Sequence, residues 1–381
     1  MNPHRFLVRL LGVALGASSM AVDAAEEVRP AQPAKPVATV APTAPAPPAP
    51  AAKSPEPAKN APAAKPAPPP VKPPTDAELR ATIAKSLVFL GKDGDKWMEE
   101  RNCNSCHEMP QLVWSHREAK QRGFAIDEKK YDEWLKWTLD NAKKPAREEA
   151  ALLVLALPER PAPELIKYIA TTQKADGTWE SGGQFTGMQK RGAPDAVANA
   201  TRLSLIGLAT AQPAGPELAT ARFKAAEMLQ KKDDPTSLES LVFRTLCAWR
   251  FGTPQEVDGL RAQILKAQRG DGGWSYYLGE NMSDPLATGQ ALYVLQPTLS
   301  DPKTADAIAK AQQWLVKTQS GDGSWPIDVN HISKVDRSSE DKAKSRRDST
   351  MIYTFWGSAW ATIGLLQAFP LKPEPVISAS K

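Results

Sequence analysis

Gln268-Arg269-Gly270-Asp271-Gly272-Gly273-Trp274 decides how this chain folds, because its pattern occurs three times. The companion copies are Gln173-Lys174-Ala175-Asp176-Gly177-Thr178-Trp179 and Gln319-Ser320-Gly321-Asp322-Gly323-Ser324-Trp325. Each reads Q-x-x-x-G-x-W with an Asp directly before the Gly. Each also follows a run with helical apolar spacing, such as Val257, Leu260 and Ile264, or Ile308, Ala311 and Leu315. Asp-Gly supplies the positive-φ turn that ends a helix. The tryptophan is expected to pack across that turn, and the glutamine amide to bond backbone groups of the neighbouring repeat.

A second, small and apolar helix follows each copy: Ala196 to Leu208, Leu286 to Leu295, and Trp356 to Leu366. Alanine-rich helices with almost no polar face are buried ones. The unit is an outer amphipathic helix, an Asp-Gly turn and an inner buried helix. Weaker copies fill the gaps. Gln230 with Asp233, Asp234 and Pro235 precedes an inner helix over Ser237 to Phe251, and Leu90 to Gly94 with Trp97 resembles the turn with one residue inserted. A further pair spans Glu128 to Leu139 and Arg147 to Leu157. Six pairs result, ending near residues 123, 159, 212, 252, 299 and 369. The spacing of roughly 40 to 50 residues is that of a helical-repeat architecture.

These three copies resemble the QW repeats of squalene–hopene cyclases and their terpenoid-cyclase and protein-prenyltransferase relatives. The resemblance covers nearly all of 76–381 and implies an all-α fold, a single (α/α)6 toroid with inner helices lining a central cavity. It is specific for fold and much less so for reaction. The best overall match is to squalene-cyclase-like proteins that carry a haem-c motif in the first repeat. The cyclases' D-x-D-D acid cluster has no counterpart here. Asp233-Asp234 sits in a turn, and Asp284, before Pro285, reads first as an N-terminal helix cap. The prenyltransferase zinc trio is likewise missing once the cysteines below are assigned to haem, and Cys247 reads as an inert core thiol.

The strongest chemical signal is Cys103-Asn104-Ser105-Cys106-His107, because C-x-x-C-H is the attachment signature for c-type haem. Two thiols add to the vinyl groups of one porphyrin, and the adjacent imidazole becomes the proximal iron ligand. The chain has 3 cysteines and 4 histidines, so three of those residues within one pentapeptide is a concentrated signal. A disulfide between Cys103 and Cys106, or half of a zinc site, is the alternative. One covalent haem c is expected, held by Cys103 and Cys106 with His107 on the iron. In the toroid this motif falls between the first outer helix and an inner helix over Met109 to Gln121. Its mouth is shared with the loops Glu180–Gly192, Ser275–Ser283 and Pro326–Thr350. The candidate distal ligands are His331 or Met188, both in those loops, ahead of His116 on the proximal helix. The charged stretch from His331 to Asp348 reads as a solvated insertion, or as a lid or docking surface for a redox partner.

Around this core the sequence carries the marks expected of an exported chain. Arg5 and Arg9 flank an apolar stretch from Phe6 to Val22, and cleavage after Ala24 gives a 1–24 signal peptide. Residues 25–75 are rich in Ala, Pro and Lys, and much of the chain's 35 prolines lies there. Such a segment favours polyproline II and builds no core. At about 3.1 Å per residue it reaches on the order of 150 Å when extended, enough to tether the folded part away from a membrane or cell wall. A passive linker is the plainer alternative. The net charge of +5 is dispersed and points to no nucleic acid. The expected location is periplasmic or otherwise exported. The function expected first is electron transfer or another redox role with a redox partner protein. The alternatives are an apolar, isoprenoid-class small molecule bound or transformed in the cavity, and a repeat scaffold for protein partners.

Overall fold

The computed structural model describes residues 71–101, 108–142, 147–157, 163–182, 193–210, 216–229, 235–298, 301–327 and 340–372. The signal and linker segments, up to residue 70, lie outside the described residues. Within them, twelve α-helices alternate between two layers. The outer helices are α1 (Asp76–Glu100), α3 (Glu128–Asn141), α5 (Pro163–Thr171), α7 (Pro216–Leu229), α9 (Pro254–Lys266) and α11 (Pro302–Thr318). The inner ones are α2 (Met109–Gln121), α4 (Arg147–Ala156), α6 (Ala193–Thr210), α8 (Leu238–Phe251), α10 (Pro285–Leu295) and α12 (Glu340–Leu366). Each inner helix touches the next, and α12 returns to touch α2, so the inner layer is a closed ring. The chain is a single (α/α)6 toroid.

Local chemistry starts these helices where the sequence places them. Thr75 and Thr253 each close a capping box with a glutamate three residues on, at α1 and α9. Asp127, Asp284, Asp301 and Ser237 cap α3, α10, α11 and α8 through their side chains.

The three repeat turns are built alike. In each, the glycine has φ of +84° to +98° (Gly177, Gly272, Gly323). A Cβ at Gly177 or Gly272 would stand 2.6 or 2.7 Å from a carbonyl oxygen of the next outer helix, so only glycine fits. The glutamine amide donates twice. Gln268 Nε2 reaches the Gly272 carbonyl at 2.8 Å and the Ala307 carbonyl of the next outer helix at 2.8 Å. Gln173 does the same to Gly177 and Ala221, and Gln319 to Gly323 and Thr82. The last of these joins α11 to α1 and so closes the ring. Each tryptophan is buried, and its indole N–H donates to a carbonyl in the preceding outer helix, at Ile169, Ile264 or Leu315. Its backbone N–H donates to a hydroxyl on the inner helix: Thr201, Thr288 or Ser358.

Two details differ from the sequence reading, and a third falls outside the described residues. Leu90 to Gly94 and Trp97 form no turn, because α1 runs unbroken from Asp76 to Glu100. Gly91 and Gly94 instead let Trp134 and Leu112 approach the helix closely. The charged stretch is not all loop, since α12 begins at Glu340. The weak copy at Gln230, Asp233 and Asp234 lies outside the described residues.

Candidate functional site

All outer-to-inner connections of a toroid open at one end, which is its mouth. The three repeat turns lie there, and so do the end of α1 and the start of α2, between which the sequence carries the C-x-x-C-H motif. Cys103, Cys106, His107, Met188 and His331 all lie outside the described residues. The mouth is therefore described by what frames them.

On the motif's C-terminal side stands Glu108, buried, followed by fully buried Met109, Leu112 and Gln111. Burial and the neighbouring Asp93 carboxyl push Glu108 well above the usual carboxylate range, and burial also raises Asp93, its hydrogen-bond partner. Neither end of the Gln111 amide has a hydrogen-bond partner among the described residues. Trp97 and Arg101 close the α1 side, the guanidinium 5.5 Å from the indole centroid.

His116, the described histidine, lies away from the mouth. Its ring packs edge-on against Trp134 at 4.7 Å, and its Nδ1 is 2.9 Å from the Leu112 carbonyl. Burial lowers its pKa to about 4, so it is a neutral packing residue. Asp284 is the helix cap that its position before Pro285 suggests. Its carboxylate accepts from the backbone N–H groups of Ala287 and Tyr276, each at 2.7 Å. Burial pushes it up to about 7 against those donors. Cys247 is a half-buried free thiol on α8, its pKa pushed up to about 12 by burial.

A second feature, not anticipated in the sequence reading, is a chain of buried polar side chains across the ends of α6, α8 and α10. Asp195 accepts from the hydroxyls of Thr236 and Ser237, both at 3.0 Å. Arg202 donates to Asn199 on its own helix and to Ser240 on the next, both at 3.3 Å. Glu239 accepts from the Tyr276 hydroxyl at 3.1 Å and from the Gln290 amide at 3.3 Å. Asp195 Oδ1, Asn199 Nδ2 and Gln290 Oε1 are buried without a hydrogen-bond partner among the described residues. Each such atom costs about 1–3 kcal/mol when nothing pairs with it. The available signal was the presence of Asn199, Glu239 and Gln290 inside otherwise apolar helices.

Of these residues, Asn199 and Gln290 face the ring's centre. At 100° per residue, a position two away from another on a helix points to nearly the opposite side. Thr201 and Thr288 point outward to their tryptophans, so Asn199 and Gln290, each two positions away, point inward. Trp360 stands two positions from Ser358, and it meets Trp114 and Tyr293 edge-on at 5.3 and 5.8 Å. The inward surface is thus polar near the mouth on the α6–α8–α10 side, and aromatic deeper between α2, α10 and α12. Among the described residues no group of three or more His, Cys, Asp or Glu is placed to hold a metal ion. No described helix is long and apolar enough to cross a membrane.

No protein-family model matches the sequence, and a search of curated proteins found no match. Solved structures do match by shape. A possible member of the GH105 family from Salmonella enterica aligns with a TM-score of 0.50 and 16% identity, over 77% of this chain and 94% of that one. A mutant unsaturated glucuronyl hydrolase from Streptococcus agalactiae aligns with a TM-score of 0.52 and 13% identity, over 78% and 92%. A type II terpene cyclase from Scytonema, in complex with geranylgeranyl dihydroxybenzoate, reaches 0.49 at 14% identity over 77% and 97%, a score too low to carry an argument. What the first two share with this chain is the toroid. At such identities the likeness is one of fold, and it brings no substrate or catalytic residue to this chain.

Proposed function

We propose that this protein is an exported c-type haem protein in which Cys103 and Cys106 hold the porphyrin at the toroid mouth and His107 is the proximal iron ligand. The observation that carries this is the C-x-x-C-H run in the α1–α2 connection. The flanking residues fit such a group. Met109 and Leu112 follow the motif at the start of α2, and with Trp97 they would give the haem an apolar surrounding. The Gln111 amide, with no partner among the described residues, suits a hydrogen bond to a propionate. Bound haem would supply one-electron chemistry. The protein's own part would be to surround the haem with the apolar side chains of Met109 and Trp97, beside a Glu108 carboxyl that burial and Asp93 raise above the usual range. A distal ligand, if the protein provides one, comes from another repeat: His331 or Met188. Two protein ligands fit electron transfer, with a redox partner protein meeting the mouth and the Pro-rich segment tethering the toroid in the periplasm or outside the cell.

The test is production with a cytochrome c maturation system, followed by denaturation and a pyridine haemochrome spectrum. One covalent haem per chain is expected, lost on Cys103→Ser with Cys106→Ser. A protein that leaves all haem behind on denaturation overturns the proposal.

A further inference from the structure

Beyond the haem, we propose a second site: the inward ends of α6, α8 and α10 bind a small, uncharged, hydroxyl-rich molecule of the saccharide class. Three elements converge there, and the polar atoms are supplied by helices rather than loops, so the site is preorganised. Asn199 and Gln290 are each more than nine-tenths buried, as are Asp195, Arg202 and Glu239. The atoms left over after their mutual hydrogen bonds are one donor, Asn199 Nδ2, and two acceptors, Asp195 Oδ1 and Gln290 Oε1. A hydroxyl both donates and accepts, so a ligand with several hydroxyls can answer this mixed set, whereas a purely accepting or purely donating ligand cannot.

Charge and polarity narrow the class further. Asp195 Oδ1, one of the unpartnered atoms, is a carboxyl oxygen that repels an anionic ligand at that point, so a neutral ligand fits it better. An isoprenoid would bury the same atoms without partners, which the site's makeup penalises. The apolar-ligand alternative therefore fits the deeper aromatic zone at Trp114, Tyr293 and Trp360, not this one. The saccharide site does not depend on the haem, and its occupancy is read separately.

Calorimetric titration of the full chain, with and without haem maturation, tests this. The probes are glucose, galactose, xylose, N-acetylglucosamine and cellobiose, with glucuronate as the anionic arm and geranylgeraniol as the apolar arm. Saturable binding of at least one neutral saccharide is expected, with a Kd of about 1 mM or tighter. It should weaken at least tenfold in Asn199→Leu and in Gln290→Leu, each of which removes an atom without a partner among the described residues together with one that bonds Arg202 or Glu239, so folding is checked first. If either variant is unfolded by circular dichroism, Asn199→Asp, which keeps the volume and removes the donor, takes its place. Failure of every neutral saccharide to bind overturns the proposal. So does tighter binding of glucuronate or geranylgeraniol, or unchanged affinity in the variants.

Discussion

His116 is one of 4 histidines in the chain, and its environment makes it a test of burial rather than of ligation. The ring is held neutral between α2 and Trp134, with its pKa lowered to about 4, while an unfolded histidine titrates near 6.5. Above pH 6.5 both states are neutral and the difference is silent. As pH falls from there toward 4, the unfolded chain takes up a proton that the folded one refuses, so stability is lost. The loss amounts to about 3 kcal/mol once both pKa values are passed. His116→Phe keeps the packing and removes the titration. Urea denaturation at pH 7 and pH 4.5 should show the variant losing less stability than the parent across that interval. Asp284 and Glu108, whose pKa values are raised, act in the opposite direction in both proteins and cancel in the comparison. An equal loss in the two proteins would mean that His116 is not buried as described.

At the scale of the element, the repeat turn is a junction between three helices. One glutamine amide ties its own turn to the next outer helix, and one tryptophan ties outer to inner through its two N–H groups. Gln319→Ala removes both of its hydrogen bonds at the point where the last repeat meets the first. The expected cost is about 1–3 kcal/mol in chemical denaturation, from two net hydrogen bonds. The inner helices use close approach in the same way. α10 and α12 pack backbone to backbone at Gly289 and Gly364, where a Cβ would collide with the Trp360 carbonyl or the Gly289 carbonyl. The turns were legible because their residues act within some ten positions of one another. The continuity of α1 was not legible. A Gly-Asp pair in a helix-compatible run reads as a turn, unless Trp134 and Leu112 from other helices are known to fill the space beside Gly91 and Gly94.

At the scale of the whole molecule, ring closure joins the two ends of the described chain. The Arg80 guanidinium lies over the rings of both Phe124 and Phe369, at 4.9 and 4.4 Å from their centroids. Nearby, Lys372 N–H donates to the Gln121 carbonyl at 2.7 Å, and Arg122 donates to Gln367 at 2.7 Å. Arg80→Ala should cost about 1–2 kcal/mol. It should also raise amide exchange in 367–372 more than in the central helices, which hydrogen–deuterium exchange would resolve. Uniform exchange across the chain would argue that this contact is not a clasp.

The alternation of amphipathic and alanine-rich helices, the three Q-x-x-x-G-x-W turns and the C-x-x-C-H run are properties of the sequence by itself. They point to six helix pairs and put the motif in the connection of the first, because helix phase, a positive-φ turn and a five-residue motif are all local. The closed ring was implied by the resemblance to QW-repeat cyclases and rests on long-range contacts such as Gln319 with Thr82. Only tertiary structure decided what the ring's interior presents. Arg202 meets Ser240 across 38 positions, Tyr276 meets Glu239 across 37, and Gln290 meets Glu239 across 51. Those meetings depend on how each inner helix is rotated about its axis, and the tryptophan hydroxyl ties at Thr201, Thr288 and Ser358 set that rotation.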